Sequence, residues 1–562
     1  MLNQIQLWLA DHPRWTLMLL TSAALGPFLA KPFNLDDPLF VWLAQQVQTH
    51  PGNPFGFDVN WYGRLSPMWA ITDNPPLAGY YFALAGNIFG WSEIGLHWAG
   101  LLAALAVILG THRLALRLSG QPLLAAGAVL SAPVFLASAG TVMCDVLMLA
   151  FWIWAVAYWV EGLEDDRPLK IFVAGLLVAL ALLTKYFGVA LIPLLAAHGV
   201  LQKRRLGGWT AGLLIPLAAL GAYEWLTLDR YGHALFSTAA GFAASAQGEL
   251  GFSKLTSGLI ALAFTGGGMA SALFLAPSLW RARTMATIIG GTAVLAGALF
   301  GSGLLLHKYP ALASPAARTE VSLQLFFWAV GGVLVLALAA AAAWRNPRDP
   351  RSWLLTLWVA GTFVFAAFAN WTVNGRSLLP MLPAVGILLA RRWQHAGKLR
   401  PRALAAGVTA SALLALLVAQ SDFQLAVAVR RSAQESMARY GQNQAAVWFE
   451  GHWGFQYYME KLGATAVDNK HSAQHPGDIL MLPANNTDTS EPAPEIAVRR
   501  DVISIPNSSW LATWQAAKGA GFYASVLGPL PFAFGKVPPE GVFVYEFRGR
   551  QKVSSLETSG KE

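Results

Sequence analysis

Two carboxylates stand side by side at Asp36-Asp37, in the run Asn34-Leu35-Asp36-Asp37-Pro38, directly after a long apolar stretch. Adjacent acids there have three ordinary uses. They can hold a divalent cation, take a proton as a general base, or start a helix, because Asp caps N-termini and Pro tolerates the first turn. A further acid, Asp73, and Asn74 precede the Pro75-Pro76 step that opens the run Leu77–Phe89. An ordinary helix start accounts for the prolines, but not for the repeated pairing of acids with aromatic runs.

Three more charges lie where lipid would reject them. Asp145 opens the apolar run Met143-Cys144-Asp145-Val146, and Lys185 follows Leu183-Thr184 and precedes Tyr186 between two apolar runs. Arg376 stands in Asn374-Gly375-Arg376-Ser377-Leu378-Leu379-Pro380, at the start of another. At a bilayer centre each costs roughly 2.5–3.5 kcal/mol, which drives such residues toward a protein interior or cavity. Near the interface, snorkelling is the plainer alternative. With Lys308, in His307-Lys308-Tyr309, these cations can converge on one anion, and a phosphate takes such a charge-assisted clamp. A carboxylate base and a cationic clamp suit a substrate with a lipid tail and a phosphate head. The acid would deprotonate an acceptor hydroxyl and the cations would hold the leaving phosphate.

The elements that must carry these residues are membrane helices. Of 562 residues, 55% are hydrophobic and only 12% charged, with a mean hydropathy of +0.46; soluble chains carry roughly 25% charged residues. The apolar runs predict about thirteen membrane-spanning helices, near residues 14–30, 94–111, 121–139, 143–160, 170–184, 186–201, 209–227, 256–280, 285–305, 320–344, 352–370, 377–391 and 403–420. The first reads as an uncleaved signal and span. The net charge of +9 is spread over turns between runs, a topology signal and not a nucleic-acid surface. Basic pairs such as Arg113/Arg117, Arg167/Lys170, Lys203–Arg205 and Arg281/Arg283 fall in alternate turns, which places the N-terminus in the cytoplasm and the C-terminal part outside. The single cysteine, Cys144, reads as a small buried hydrophobe.

Residues 31–93 form a long outer loop, with 39–47 and 77–89 as short interfacial helices; 229–254, rich in Gly, Ala and Ser, reads as a mobile connector. After residue 422 the composition changes. Strands are expected near 445–449, 479–482, 502–505 and 542–547, with helices at 454–462 and 509–518. The expected fold is an all-α polytopic membrane domain over 1–421, a small extracytoplasmic α/β domain over 422–550, and a disordered tail over 551–562. His452, in an aromatic stretch, reads as structural more readily than catalytic.

In order and placement these motifs resemble the GT-C superfamily of polyprenyl-phosphate-sugar-dependent glycosyltransferases, specifically the family 39 branch of protein O-mannosyltransferases and lipid A aminoarabinose transferases. Asp36-Asp37 is similar to the acidic pair of the family's first outer loop, with Asp36 at the catalytic carboxylate and Asp37 replacing a longer acid. Asn74-Pro75-Pro76-Leu77 resembles the X-Pro-Pro-Leu element, with Asn74 where relatives often carry His or Lys. Asp145, the Lys185-Tyr186 element and Arg376-Ser377-Leu378-Leu379-Pro380 match further family positions, Ser377 replacing the usual Tyr.

The resemblance implies an inverting transfer from a polyprenyl-monophosphate sugar to an acceptor hydroxyl or amine on a lipid, glycan or protein, catalysed at the outer face of a bacterial inner membrane. In that scheme Asp36, with Asp37, is the base; Lys185, Arg376 and Lys308 bind donor phosphate; Asp73, Asn74, Asp145 and Tyr186 orient sugar or acceptor. A divalent cation at the acid pair stays open, although no His/Cys ligand set accompanies it. The rival readings are a transporter or flippase for lipid-linked sugars, or a ligase moving whole glycans. A transporter usually shows paired repeats with interrupted midplane helices, and neither is visible here.

Overall fold

Proline and glycine, more than apolar content, decide which apolar runs become single long helices. The computed structural model describes residues 11–548 apart from 73, 252, 302, 304–307, 310, 311, 313, 397–400, 443 and 444. Asp73 and the tail expected over 551–562 therefore lie outside the described residues. The helices are α1 (Pro13–Leu25), α2 (Asp37–Thr49), α3 (Leu77–Phe89), α4 (Glu93–Leu118), α5 (Pro122–Leu130), α6 (Pro133–Ala139), α7 (Cys144–Glu164), α8 (Pro168–Thr184) and α9 (Leu191–Lys203). They continue with α10 (Ala211–Tyr231), α11 (Leu235–Leu250), α12 (Lys254–Gly268), α13 (Ala282–Gly301), α14 (Pro315–Arg345), α15 (Pro350–Val364), α16 (Leu382–Gln394), α17 (Pro401–Tyr440) and α18 (Trp453–Lys461). Shorter turns are left unlabelled.

Among the described residues eight helices are by themselves long and apolar enough to cross a membrane, and α5 with α6, bent by 62°, makes a ninth. The protein is thus a polytopic integral membrane protein. These nine spans are fewer than the thirteen runs expected: the run near 170–184 is the single 17-residue helix α8, and others are broken by turns. Pro133 separates α5 from α6, because it lacks an N–H and clashes with the preceding turn. The run near 256–280 ends as α12 and two single turns, the second holding Pro277. The run near 377–391 becomes the turn Gly375–Leu378, a 3-10 turn Leu379–Met381 and α16. Residues 235–250, expected as a mobile connector, form α11; their alanines favour helix over coil.

The chain forms two compact units. The larger takes Met1–Ala30, Asp73–Asp422 and Trp510–Lys536; the smaller takes Lys31–Thr72, Phe423–Ser509 and Val537–Glu562. This division differs from boundaries placed at 421 and 422, and it divides the first loop as well. Residues 509–518, expected as a helix, are instead strands β7 (Leu511–Ala512) and β8 (Trp514–Gln515) and a 3-10 turn. Tertiary hydrogen bonds select that extended backbone. The Asp422 carboxylate accepts from Thr513 Oγ1 at 2.9 Å and from the Tyr523 hydroxyl at 2.8 Å. The Ser421 hydroxyl donates to the Leu511 carbonyl, and Tyr309 donates to the Ser525 carbonyl at 2.7 Å. Neither an i,i+4 pattern nor a local cap anticipates partners this distant in sequence.

In the smaller unit β3 (Val447–Phe449), β4 (Thr465–Ala466), β5 (Ile479–Pro483), β6 (Ala497–Ile505) and β9 (Glu540–Phe547) form a five-stranded sheet in the order β4-β3-β5-β9-β6. The strands expected from the sequence are all present; β6 begins earlier, at Ala497. Phe449, Met481, Ile503, Val542 and Val544 bury one face with Phe455 and Met459 of α18. A hairpin from the first loop, β1 (Asp58–Asn60) with β2 (Leu65–Pro67), belongs to the same unit.

Candidate functional site

Three separate segments of the larger unit bring their charges together. Asp145 lies in the first turn of α7 and is 1% exposed. Lys185 terminates α8 with an extended backbone (φ −152°, ψ 133°), which turns the chain into the 3-10 segment Tyr186–Ala190. Its Nζ donates to Asp145 Oδ1 at 2.5 Å. Arg376 occupies a single helical turn whose N-cap is Asn374, the Asn374 Oδ1 accepting the Ser377 N–H at 2.7 Å. Its Nη1 lies 3.8 Å from Asp145 Oδ2 and 2.9 Å from Met143 Sδ, and its guanidinium sits over the Tyr523 ring at 5.4 Å. Asp145 Oδ2 is buried and accepts no hydrogen bond from any described residue. One carboxylate therefore holds two cations, one by direct contact and one at a distance that leaves its second oxygen able to accept another donor.

Asn74 and Tyr186 flank this cluster. Asn74 Oδ1 accepts from Cys144 Sγ at 3.4 Å, the neighbour of Asp145. The Tyr186 hydroxyl meets that of Tyr223 at 3.1 Å. Lys308 is exposed between α13 and α14 and is not an ion-pair partner of Asp145. Sequence reasoning missed Met143 and Tyr523, because no local pattern connects residues 510–536 with an apolar helix start.

The acid pair lies in the smaller unit, and its two members differ. Leu35 adopts φ +50°, the left-handed region, and lets the chain turn sharply into α2. Asp36 stands at the N-cap position, yet its side chain makes no cap hydrogen bond. Asp37 is fully buried, and its Oδ2 accepts the Asn34 N–H at 3.0 Å. The bland reading, an acid that closes a helix start, thus describes Asp37 and not Asp36.

The turn is held by the segment around α18. The Phe33 N–H donates to the Tyr458 hydroxyl at 2.9 Å, and the Phe33 and Tyr457 rings meet edge to face at 5.3 Å. Gly454 is needed for this approach. A Cβ there would lie 2.4 Å from the Phe33 carbonyl oxygen and 2.9 Å from Asn34 Oδ1. His452 stacks on Trp61 at 4.8 Å and places Nδ1 2.9 Å from the Trp61 carbonyl, so that nitrogen carries the proton. Burial pushes its pKa down, against the opposing pull of the Asp488 and Asp36 carboxylates and the Trp61 carbonyl. A pocket of about 530 Å³ in this unit is lined by Trp42, Gln45, Asp58, Asn60 and Glu460 among others. Among the described residues no three His, Cys, Asp or Glu side chains gather as a metal-binding group.

The described residues thus form a polytopic helical fold with a small C-terminal sheet, and the larger unit carries a buried carboxylate–lysine–arginine cluster at helix ends. In sequence the similarity is local: residues 73–223 fit the family model described as dolichyl-phosphate-mannose-protein mannosyltransferase. They include Asn74, Asp145 and Lys185 but neither Asp36 nor Arg376. Among solved structures the chain is similar to ArnT from Cupriavidus metallidurans in its undecaprenyl phosphate-bound form, at 15% identity over 86% of this chain and 93% of that one, with a TM-score of 0.41. It is also similar to the arabinofuranosyltransferase AftD from Mycobacteria, at 14% identity and a TM-score of 0.37 over 96% of this chain and 40% of that one. No curated protein matches the chain in sequence.

Proposed function

We propose that this protein transfers a single sugar, hexose or pentose, from a polyprenyl-monophosphate carrier to an acceptor hydroxyl or amine. The observation that carries the reading is the convergence of Lys185 and Arg376 on buried Asp145. Two cations held at helix ends by one carboxylate keep a net positive charge for a phosphate, and Asp145 prevents them from repelling each other while the site is empty of donor. The acceptor oxygen attacks the anomeric carbon with inversion as the bond from that carbon to the phosphate oxygen breaks. Asp36 takes the acceptor proton, and the polyprenyl phosphate leaves with the bonding electron pair toward Lys185 and Arg376. Lys308 assists as a more peripheral cation, and Asp145 Oδ2, Asp73, Asn74 and Tyr186 orient the sugar or acceptor. The Trp42 pocket offers a ring face and polar groups suited to a carbohydrate acceptor.

The reading places the N-terminus in the cytoplasm and the sheet unit outside, in a bacterial inner membrane. A phosphatase reporter fused after Asp422 tests this, since it is active only outside. The activity test is purified protein given undecaprenyl-monophosphate sugars and candidate acceptors. Release of undecaprenyl phosphate together with a glycosylated acceptor supports the reading. Movement of the intact lipid-linked sugar across a vesicle bilayer, with no glycosidic bond exchanged, replaces it with a carrier.

A further inference from the structure

At the far end of α7 and α8 from Asp145 and Lys185 lies a second cavity, of about 570 Å³. The 21 residues of α7 put it roughly 30 Å from that cluster. Its walls are of two kinds. Ile171 and Phe172 of α8, Ile215 of α10 and Trp209 supply apolar surface; Arg167 and Arg205 supply charge. Helices α8 and α10 pack closely beside it because both contribute glycine. A Cβ on Gly212 would come within 2.6 Å of Ile171 Cγ2, and one on Gly175 within 2.3 Å of the Gly212 carbonyl oxygen.

The cations at this end of the bundle are treated unequally. Arg113 forms a bidentate pair with Glu161 (2.7 and 2.9 Å), Arg117 pairs with Asp165 at 2.9 Å, Lys170 with Glu161 at 2.8 Å and Arg351 with Glu164 at 2.7 Å. Lys203, at the cavity edge, pairs with Asp166. Among the described residues Arg167 and Arg205 have no carboxylate within ion-pair distance. The fold thus neutralises the cations around the cavity and leaves two guanidiniums on its wall, beside apolar surface at the ends of membrane helices.

We infer that this cavity binds one anionic glycerophospholipid, its phosphate between Arg167 and Arg205 and its first acyl carbons against Phe172, Ile215 and Trp209. Planar guanidiniums match phosphate oxygens in forked geometry, and basic pockets between helix ends are a known mode of headgroup recognition. The charge excludes a neutral lipid as the preferred occupant, and the apolar wall goes unused by a free phosphate ion. The assignment is independent of the glycosyl-transfer reading.

Native mass spectrometry of the detergent-purified full chain, titrated with phosphatidylglycerol or phosphatidylcholine, tests it. One phosphatidylglycerol should bind at least tenfold more tightly than phosphatidylcholine. The double variant Arg167→Gln/Arg205→Gln should abolish that preference, while Arg281→Gln/Arg283→Gln, an equal charge loss in another turn, should leave it intact. Ile215→Trp, which fills the apolar wall and keeps both arginines, should weaken binding as well. Equal losses in the two arginine pairs would reduce the effect to general surface charge and overturn the site. Displacement of the lipid by millimolar inorganic phosphate would reassign the cavity to a free anion.

Discussion

Asp145 and Lys185, forty residues apart in sequence, meet at 2.5 Å where the start of one helix faces the end of another. The carboxylate is 1% exposed and the lysine side chain 23%, so the pair is partly shielded from solvent and depends on each partner. Removing one charge of such a pair leaves the other poorly solvated, and Asp145→Asn should destabilise the larger unit by roughly 3 kcal/mol. Asp145→Asn/Lys185→Met should be less destabilised than the two single changes summed, by about 1–3 kcal/mol. Thermal unfolding of the four proteins in one detergent measures the cycle; strict additivity would mean that the contact contributes nothing.

Asp36 and Asp37 should separate cleanly by kind of defect. Asp36→Asn, which keeps the size of the side chain and one acceptor oxygen, should lower sugar transfer at least about 10²-fold with little change in melting temperature. Asp37→Ala strands the buried Asn34 N–H, at a cost of about 1–3 kcal/mol, so its first symptom should be a lower melting temperature. Activity and melting curves of both variants check this; normal turnover by Asp36→Asn removes it as the base.

Gly454→Ala forces a methyl group against the Phe33 carbonyl and the Asn34 side chain. Overpacking of this kind costs about 1–3 kcal/mol, and here the backbone that must give way is the one leading into Asp36. The expected outcome is loss of transfer beyond what the fall in stability explains, measured as kcat at a temperature well below Tm. An unchanged kcat would show that the turn tolerates the shift.

Burial pushes Glu540 up to about 7, with the Asn485 amide hydrogen bond at 3.1 Å pulling weakly the other way. The folded carboxyl therefore keeps its proton between its ordinary value of 4.5 and about 7, where the unfolded chain has lost it. Its contribution to stability is complete below pH 4.5 and is lost as pH rises through about 7. Unfolding of the chain followed from pH 4.5 to 8 should show the smaller unit weakening across this window, and Glu540→Gln should flatten that slope. A wild-type slope that persists in the variant assigns it elsewhere.

The membrane character, most helix positions, the strands of the sheet and the residues of the charge cluster were legible in the sequence, because each depends on local pattern. Apolar length sets a span, alternation sets a strand, and a charge inside an apolar run is conspicuous by itself. Asn74-Pro75-Pro76 marked the start of α3, and the helix follows.

Three things were decided only by tertiary structure. The run at 509–518 has helical composition, yet the carboxylate of Asp422 and the hydroxyl of Ser421 draw it into extended form. The first loop divides at Thr72, its earlier part joining the C-terminal sheet unit, because Phe33 and Asn34 pack on Gly454 and Tyr458 from the far end of the chain. The two acids at 36 and 37 differ because packing buries Asp37 fully and leaves Asp36 half-buried. Local sequence fixes which residues carry charge and which enter lipid. Which charges meet depends on packing that no local period encodes, as where Lys185 and Arg376 reach Asp145 from other helix ends.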